Sequence, residues 1–302
     1  MNIAIENTAL EENIRNKKLV AYCKRGIPPN FDPSVVCNTL FRQILDNPKT
    51  LSMQLGAVVE LRGKRVLDIG SGSGFDSVDL SQEGAHVIAL EYSQGRIEFN
   101  RELCKEKEVM HAIVRGDACR PPFKPDVFDI INCKHLIEHL QKPEERIAEM
   151  AGMLSPEGLI YINFPNRFAI RQIIADDHYQ LPFIVLMPRP LAKFIVTRIF
   201  KYEKVYGTNV FLSKRRFEKM LKTAGLHFRY IYPDIGQLEQ KLRNPGTINN
   251  KQARFLFTIM NKARLVSSAI KLLKTVMIQN LVFSNFTAIA FRVQPCCSKS
   301  II

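Results

Sequence analysis

Residues Val66 to Gly74 read Val-Leu-Asp-Ile-Gly-Ser-Gly-Ser-Gly, a short apolar strand that runs into three alternate glycines. Glycine has no Cβ and adopts positive φ freely, so the backbone at such a turn can approach a ligand closely. The segment that follows can open a helix, whose N-terminal amides attract negatively charged groups. The stretch therefore predicts a strand, a tight turn and a helix built around a small-molecule site.

Strand-like and helix-like patterns alternate on both sides of this turn. Such alternation is typical of an α/β fold, in which helices cover both faces of a doubly wound parallel sheet. The pattern predicts helices at 75–83, 96–107, 144–153 and 213–224. It predicts strands at 65–69, 85–90, 112–115, 128–133, 159–164, 228–232 and 285–293.

Acidic residues stand in or after the first three predicted strands. Asp68 lies within the first, Glu91 ends the second and Asp117 follows the third. Because the carboxyl ends of parallel strands meet at one edge of a sheet, these carboxylates should lie beside the glycine turn. Glu91 can accept from two ribose hydroxyls and Asp117 from an adenine amino group. Each acid alone also fits a solvated strand end or a turn, but the three in order indicate a nucleoside site.

With these residues in place, the chain resembles the class I S-adenosylmethionine-dependent methyltransferases, in particular the group similar to ubiquinone- and menaquinone-biosynthesis enzymes. The resemblance implies a Rossmann-like, mostly parallel seven-stranded sheet with an antiparallel last strand. It is carried by 66–74, Glu91, Gly-Asp-Ala at 116–118, Phe-Asp-Ile-Ile at 128–131, Glu-His-Leu at 138–140 with Pro143, and Leu-Ser-Pro-Glu-Gly at 154–158.

The resemblance also implies S-adenosylmethionine as the cofactor and assigns residues to it. Asp68, Gly70 and Gly72 would hold the methionine end. Glu91 would bind the ribose and Asp117 the adenine. The other cofactor contacts expected are Ser71 and Gly74 in the turn, Tyr92 after the second strand, Ala118 after the third and Cys133 in the fourth.

Histidines follow the fourth and fifth predicted strands. A hydroxyl acceptor benefits from a general base, which contributes roughly 10²–10⁴-fold. His135 and His139 come just after the fourth strand, where the reactive centre is expected, and are the candidate catalytic residues; His139 can equally be a structural residue. His178 and Tyr179, in the stretch after the fifth strand, are candidate substrate contacts or part of a capped turn. No metal site is expected, since this local cluster alone does not define one.

Charge is distributed unevenly along the 302 residues, whose formal net charge is +14. Residues 1–160 carry 20 Lys/Arg and 23 Asp/Glu, a net of −3, whereas residues 161–302 carry 23 and 6, a net of +17. Two stretches, 181–200 and 264–283, mix apolar and basic residues in the way of segments that lie on an anionic membrane surface. A lid packed on the sheet fits the same pattern. RNA is the rival anionic partner, although no RNA-binding module is recognisable.

We expect a single catalytic domain over 1–302. Its predicted parts are a helical lead-in at 1–61, a cofactor-binding core at 62–166, a substrate-side insertion or lid at 165–209, and a C-terminal part at 210–293 with a helical insertion at 235–280. The seven cysteines show no C-x-x-C spacing, and neither a signal peptide nor a membrane span is evident. A cytoplasmic protein is expected, with peripheral contact to the inner membrane face as an option.

The preferred interpretation is methyl transfer to oxygen on a small-molecule, glycan or lipid-linked acceptor. One alternative is a binding or regulatory partner of the same fold that holds the cofactor without turnover, and another is an RNA methyltransferase. A nicotinamide-dependent oxidoreductase is disfavoured, because the third glycine of a G-x-G-x-x-G turn would fall at Phe75. The oligomeric state is left open.

Overall fold

Seven strands form one sheet at the centre of the computed structural model. The structure describes residues 2–25, 33–46, 49–174, 176, 178–179, 181–202, 212–231, 258–259 and 285–292. Across the sheet the strands run in the order β3-β2-β1-β4-β5-β7-β6. Their bounds are β1 Arg65–Ile69, β2 His86–Glu91, β3 Ala112–Arg115, β4 Phe128–Lys134, β5 Leu154–Pro165, β6 His227–Ile231 and β7 Asn285–Phe291.

Helices connect most of these strands and precede the first. A 3₁₀ turn at Ile184–Leu186 precedes the helix Arg189–Phe194, and a π-helical turn at Ile195–Ile199 follows that helix. Within the described part of the chain the helices are α1 Asn2–Glu12, α2 Lys17–Cys23, α3 Pro33–Asp46, α4 Thr50–Gly56, α5 Phe75–Gln82, α6 Gln94–Lys107, α7 Pro143–Met153, α8 Ile170–Ile174, α9 Arg189–Phe194 and α10 Lys214–Thr223.

The sheet has the predicted doubly wound, mostly parallel topology. Strands β1 to β5 pair in parallel, whereas β7 is antiparallel to both β5 and β6. The strand order reverses at β1, which lies between β2 and β4. Ligands of open α/β sheets bind outside the carboxyl ends of the strands at such a switch point. The predicted fold class is confirmed.

Strand β5 starts earlier than predicted. Leu154 already pairs with Phe128 of β4, and a register shift follows before Ile130 pairs with Leu159. The intervening Pro156 reads as a turn residue in the sequence. The irregular pairing between β4 and β5 accommodates Pro156, and β5 continues past this residue. The sequence pattern alone therefore placed the start of β5 too late.

Alternating strand residues build a separate core on each face of the sheet. Leu67 and Ile131 face α7 and α10 in one cluster, while Val66 and Ile130 face α4 and α5 in the other. This alternation is the two-residue period of a strand covered on both sides. A third cluster packs α2 and α3 against α6. The lead-in helices are thereby tied to the sheet next to β2 and β3.

The C-terminal part of the chain is described only in pieces. Ser213 caps α10, where its hydroxyl accepts from the Arg216 backbone N–H at 3.3 Å, and Gly225 follows the helix at a φ of +73°. The predicted insertion at 235–280 lies outside the described residues apart from 258–259, and the basic stretch 264–283 lies wholly outside them. Among the described helices, none has the length and apolar character needed to cross a bilayer.

The three glycines of the turn all have positive φ. Gly70, Gly72 and Gly74 lie at +70°, +56° and +85°, a region that L side chains rarely adopt. Gly74 also caps α5 and packs tightly, since a Cβ built on it would lie 2.1 Å from Cγ of the buried Asn100. Glycine is thus required here by backbone conformation and by space.

Replacing Gly74 with alanine tests this requirement. We expect Gly74→Ala to lower the free energy of unfolding by about 2–5 kcal/mol, because left-handed strain and overpacking both apply. Urea denaturation measures the change. The matched control is Gly152→Ala in α7, where a Cβ meets nothing within 4 Å. It should leave stability unchanged or raise it by up to about 1 kcal/mol. Equal midpoints for Gly74→Ala and the wild type would contradict this account.

Candidate active site

A crevice of about 620 Å³ opens at the carboxyl ends of β1, β2, β3 and β4. It brings together residues that are distant in sequence but share one edge of the sheet. Its lining residues are Asp68, Gly70, Ser71, Gly72, Asp76, Leu90, Glu91, Tyr92, Arg96, Gly116, Asp117, Ala118, Cys119, Lys134, His135, Leu136, His139 and Leu140.

Asp68 lies at the bottom of the crevice and is 2% exposed. Ser77 Oγ donates to its Oδ2, and Asn132 Nδ2 donates to its Oδ1 at 2.8 Å. Burial raises the pKa of this carboxyl, and the charge of Asp76 raises it further, while the two hydrogen bonds oppose the shift. The carboxylate is held in a single orientation at a point where a positively charged ligand group would be favoured.

Glu91 joins the end of β2 to the glycine turn. Its Oε2 accepts from the Gly72 backbone N–H and its Oε1 from the Ser93 backbone N–H, both at 2.8 Å. Glu91 is 6% exposed and therefore buried. Each carboxylate oxygen has a second acceptor site, so hydroxyls of a ligand in the crevice can still donate to it.

Asp117 is exposed at the outer part of the crevice, after β3. Its Oδ1 accepts from the Cys119 backbone N–H at 2.8 Å, which closes a short turn around Ala118. The other carboxylate oxygen remains available to a ligand amino group. Asp68, Glu91 and Asp117 therefore line one crevice from its base to its rim, in the order in which their strands lie in the sheet.

The glycine turn offers a ligand one buried hydroxyl and a backbone that carries few side chains. Ser71 Oγ is buried and makes no hydrogen bond with any residue that the structure describes. A Cβ on Gly72 would point into open space, whereas one on Gly70 would lie 2.7 Å from Leu136 Cδ1. A buried donor beside side-chain-free backbone is the cradle that a polar nucleoside ligand requires.

Four of the predicted site residues do not line the crevice. Gly74 packs against Asn100 beneath the turn, and Cys133 is fully buried in β4, where desolvation raises the pKa of its thiol. Tyr179 is 2% exposed and belongs to a small cluster within the insertion after β5. His178 lies beside the crevice and meets it through His139.

The two predicted catalytic histidines both line the crevice. His135 follows β4 with a φ of +50°, and its side chain is 44% exposed. Its Nδ1 lies 3.9 Å from Oε1 of the buried Glu138. His139 Nε2 lies 3.3 Å from His178 Nε2, which joins the turn after β4 to the insertion after β5.

The sequence did not single out an ion pair at the mouth of the crevice. Lys134 Nζ donates to Asp76 Oδ1 at 2.8 Å, linking the end of β4 to the first turn of α5. Leu136, which lies against Gly70, and Leu140 add apolar surface to the crevice. Lys134 ends β4 as Glu91 ends β2, so the same argument from strand ends could have selected Lys134 as a site residue.

Comparisons with known proteins point to one class. The family model described as a methyltransferase domain matches residues 67–162. A demethylmenaquinone methyltransferase of Clavibacter sepedonicus is 32% identical over 106 residues, which are 35% of this chain and 43% of that protein. A ubiquinone biosynthesis O-methyltransferase of Azoarcus sp. (strain BH72) is 30% identical over 139 residues, 45% of this chain and 59% of that protein.

A solved structure supports the same fold. The S-adenosylmethionine-dependent methyltransferase from Mesorhizobium loti aligns with 82% of this chain and 100% of its own length, with a TM-score of 0.51 and 14% identity. Residues 67–162 of this chain are therefore similar to a methyltransferase domain, and the solved structure has the same fold. The matches span about half the length of the two curated relatives described above.

Glu91 gives the sharpest test of the cofactor site. We expect Glu91→Gln to weaken S-adenosylhomocysteine binding by about 10–100-fold, because hydrogen bonds to a charged group contribute about 1.5–3 kcal/mol each. Calorimetric titration measures the affinity. Glu157→Gln, at an exposed position in β5, is the control and should bind like the wild type. Full affinity in Glu91→Gln would show that this carboxylate does not hold the ligand.

Proposed function

We propose that the protein transfers the methyl group of S-adenosylmethionine to an oxygen of an amphiphilic, lipid-linked acceptor. The observation that carries the first part is the meeting of three strand-end carboxylates and the glycine turn in one crevice. When bound, S-adenosylmethionine supplies an activated methyl group. The protein's own contribution is to orient both ligands, and holding reactants in place can supply about 7–11 kcal/mol of the barrier.

Asp68, Gly70, Ser71 and Gly72 are the residues proposed to hold the methionine end of the cofactor. Glu91 and Tyr92 are proposed to hold the ribose, and Asp117 with Ala118 the adenine. Gly74 and Cys133 support this site from outside the crevice. Gly74 shapes the turn, and Cys133 fills the core beneath it.

The acceptor is proposed to enter beside His135 and His139, which both line the crevice. A side chain that accepts a proton there would assist a hydroxyl acceptor. The name of the Azoarcus relative includes an O-methyltransferase activity, which supports oxygen as the acceptor atom here. His178 and Tyr179 would shape this side of the site from the insertion after β5.

The surface of that insertion supports a lipid-linked acceptor. Within the described residues between 168 and 200, nine large apolar side chains are at least 40% exposed. They are Phe168, Ile170, Ile174, Phe183, Leu186, Leu191, Phe194, Ile199 and Phe200. We call them the apolar face. All nine lie within 33 consecutive positions of the chain, and apolar side chains exposed together in a patch mark binding surfaces.

The same segment keeps its own small core. Tyr179, Leu181, Ile184, Ala192 and Val196 pack together on the side that faces inward. The apolar face thus belongs to a segment that also has a buried cluster of its own. Exposed basic residues, Lys193, Arg198 and Lys201, alternate with it. Apolar groups flanked by Lys and Arg fit an anionic bilayer surface, since each basic residue near it contributes about 1 kcal/mol.

Transfer of labelled methyl groups tests the enzymatic part of this proposal. The protein is incubated with methyl-labelled S-adenosylmethionine and a membrane-lipid extract, and label is counted in the organic phase. We expect label in that phase, lost by at least about tenfold in Glu91→Gln because cofactor binding is weakened. Binding of S-adenosylhomocysteine without any transfer would favour a non-catalytic partner. Label in added bulk RNA would favour an RNA methyltransferase.

Vesicle flotation tests the membrane part. The wild type should float with vesicles that contain phosphatidylglycerol and not with pure phosphatidylcholine. Removing two charges in Lys193→Gln/Arg198→Gln should weaken binding about 30-fold, from about 1 kcal/mol per residue. The control is Lys219→Gln/Lys222→Gln on α10, which carries the same charge change. Equal loss in both variants, or preferential binding to bulk RNA, would remove this surface from the proposal.

A further inference from the structure

Three side chains of metal-ligand type meet where the turn after β4 contacts the insertion after β5. Glu138 and His139 lie in that turn, and His178 follows α8. One donor atom from each lies within 4.8 Å of the other two. His139 and His178 are 39 positions apart in sequence, so only the fold brings them together.

The spacing of the two imidazoles matches a tetrahedral centre. Zinc–nitrogen bonds are about 2.0–2.1 Å, which places two ligands of a tetrahedron about 3.3 Å apart. His139 Nε2 and His178 Nε2 are separated by 3.3 Å. Their ring planes are inclined at 69° and the ring centroids are 5.0 Å apart, so the two rings are not stacked.

A buried acid favours the ligand form of His178. Its Nδ1 lies 3.9 Å from Oδ2 of Asp176, which is fully buried. That carboxylate is itself fixed, because it accepts from the backbone N–H groups of His178, Tyr179 and Leu181 at 2.9–3.0 Å. At 3.9 Å the two groups are not hydrogen-bonded, but the acid lies on the Nδ1 side of the ring, and a negative charge there favours a proton on Nδ1 over one on Nε2.

Glu138 supplies an anionic ligand from the interior. The residue is 2% exposed, and its carboxylate sits beside the crevice wall formed by His135 and His139. Carboxylate oxygens are among the ligands that zinc accepts in proteins, at about 2.0–2.2 Å. Two imidazoles and one carboxylate form a donor set that suits Zn²⁺ and its first-row neighbours better than Mg²⁺ or Ca²⁺, which prefer oxygen ligands.

We propose that Glu138, His139 and His178 bind one divalent transition-metal ion of the zinc type. With three protein ligands, the ion keeps a fourth position for an oxygen atom, as catalytic zinc sites do. His139 also lines the crevice, so the ion would lie next to the space where the acceptor is expected. The ion would orient an acceptor oxygen; this role rests on the proposed methyl transfer, whereas the metal site itself does not.

The proposed metal site gives two histidines roles that differ from those predicted from the sequence. His139 becomes a ligand instead of a candidate base, and His178 an anchor instead of a substrate contact. The sequence alone gave no metal site, because Glu138-His139 offers two adjacent ligands and the third comes from a distant insertion. The tertiary contact between the two segments is what completes the set.

Zinc titration of the chelator-treated full chain tests the site. Competition with a chromophoric chelator gives the affinity, and elemental analysis gives the stoichiometry. We expect one Zn²⁺ per chain and a loss of affinity of more than about 100-fold in His178→Ala, since loss of an outer partner alone costs about 10–100-fold. His178→Cys, which restores a zinc ligand, should recover most of the affinity. His227→Ala, at an exposed position in β6, is the matched control and should bind like the wild type.

Co²⁺ provides a spectroscopic readout that does not depend on activity. The wild type and His178→Cys should give the visible absorption of a four-coordinate cobalt site, and His178→Ala should not. No zinc binding by the wild type, or equal zinc binding by the wild type and His178→Ala, would overturn the proposal. S-adenosylhomocysteine titration is run in parallel. Zinc binding without nucleoside binding would leave the metal site standing and remove the proposed methyl transfer.

Discussion

The two hydrogen bonds of Glu91 hold the crevice in its shape. One carboxylate accepts from the Gly72 N–H in the turn after β1 and from the Ser93 N–H at the start of α6. It therefore adds to the backbone bonds that Gly70 and Ser71 donate to Leu90 O, and holds the turn after β1 against the end of β2. Hydrogen bonds to an ionised acceptor are about twice as strong as neutral ones. The positive φ of the three glycines is what brings the Gly72 N–H within reach of this carboxylate.

Much of the fold could be predicted because local pattern and tertiary environment agree. Val66 and Leu67 show the two-residue alternation that places them in opposite cores. The alternate glycines predict positive φ, and all three have it. The start of β5 was missed because Pro156 reads locally as a turn, while the pairing of Leu154 with Phe128 depends on a neighbouring strand that no local pattern encodes.

Part of the site could be predicted from the sequence and part could not. Asp68, Glu91 and Asp117 follow from the rule that carboxyl ends of parallel strands share an edge. The contact between His139 and His178 does not, because it depends on how the insertion after β5 folds back over the turn after β4. That insertion carries a small core of its own and an outward apolar face. The insertion that brings His178 to His139 at the crevice thus also carries the apolar face.

The packing beneath the glycine turn includes a buried imidazole that the fold holds in its neutral form. Asn100, which fills the space beside Gly74, has its Oδ1 3.1 Å from Nε2 of His111. Burial lowers the pKa of His111 from 6.5 to about 4. The folded chain therefore binds fewer protons than the unfolded chain between these values, and the contribution of His111 to stability is complete above pH 6.5 and lost as the pH falls towards 4. Across neutral conditions the imidazole stays uncharged and keeps Asn100 seated against the turn.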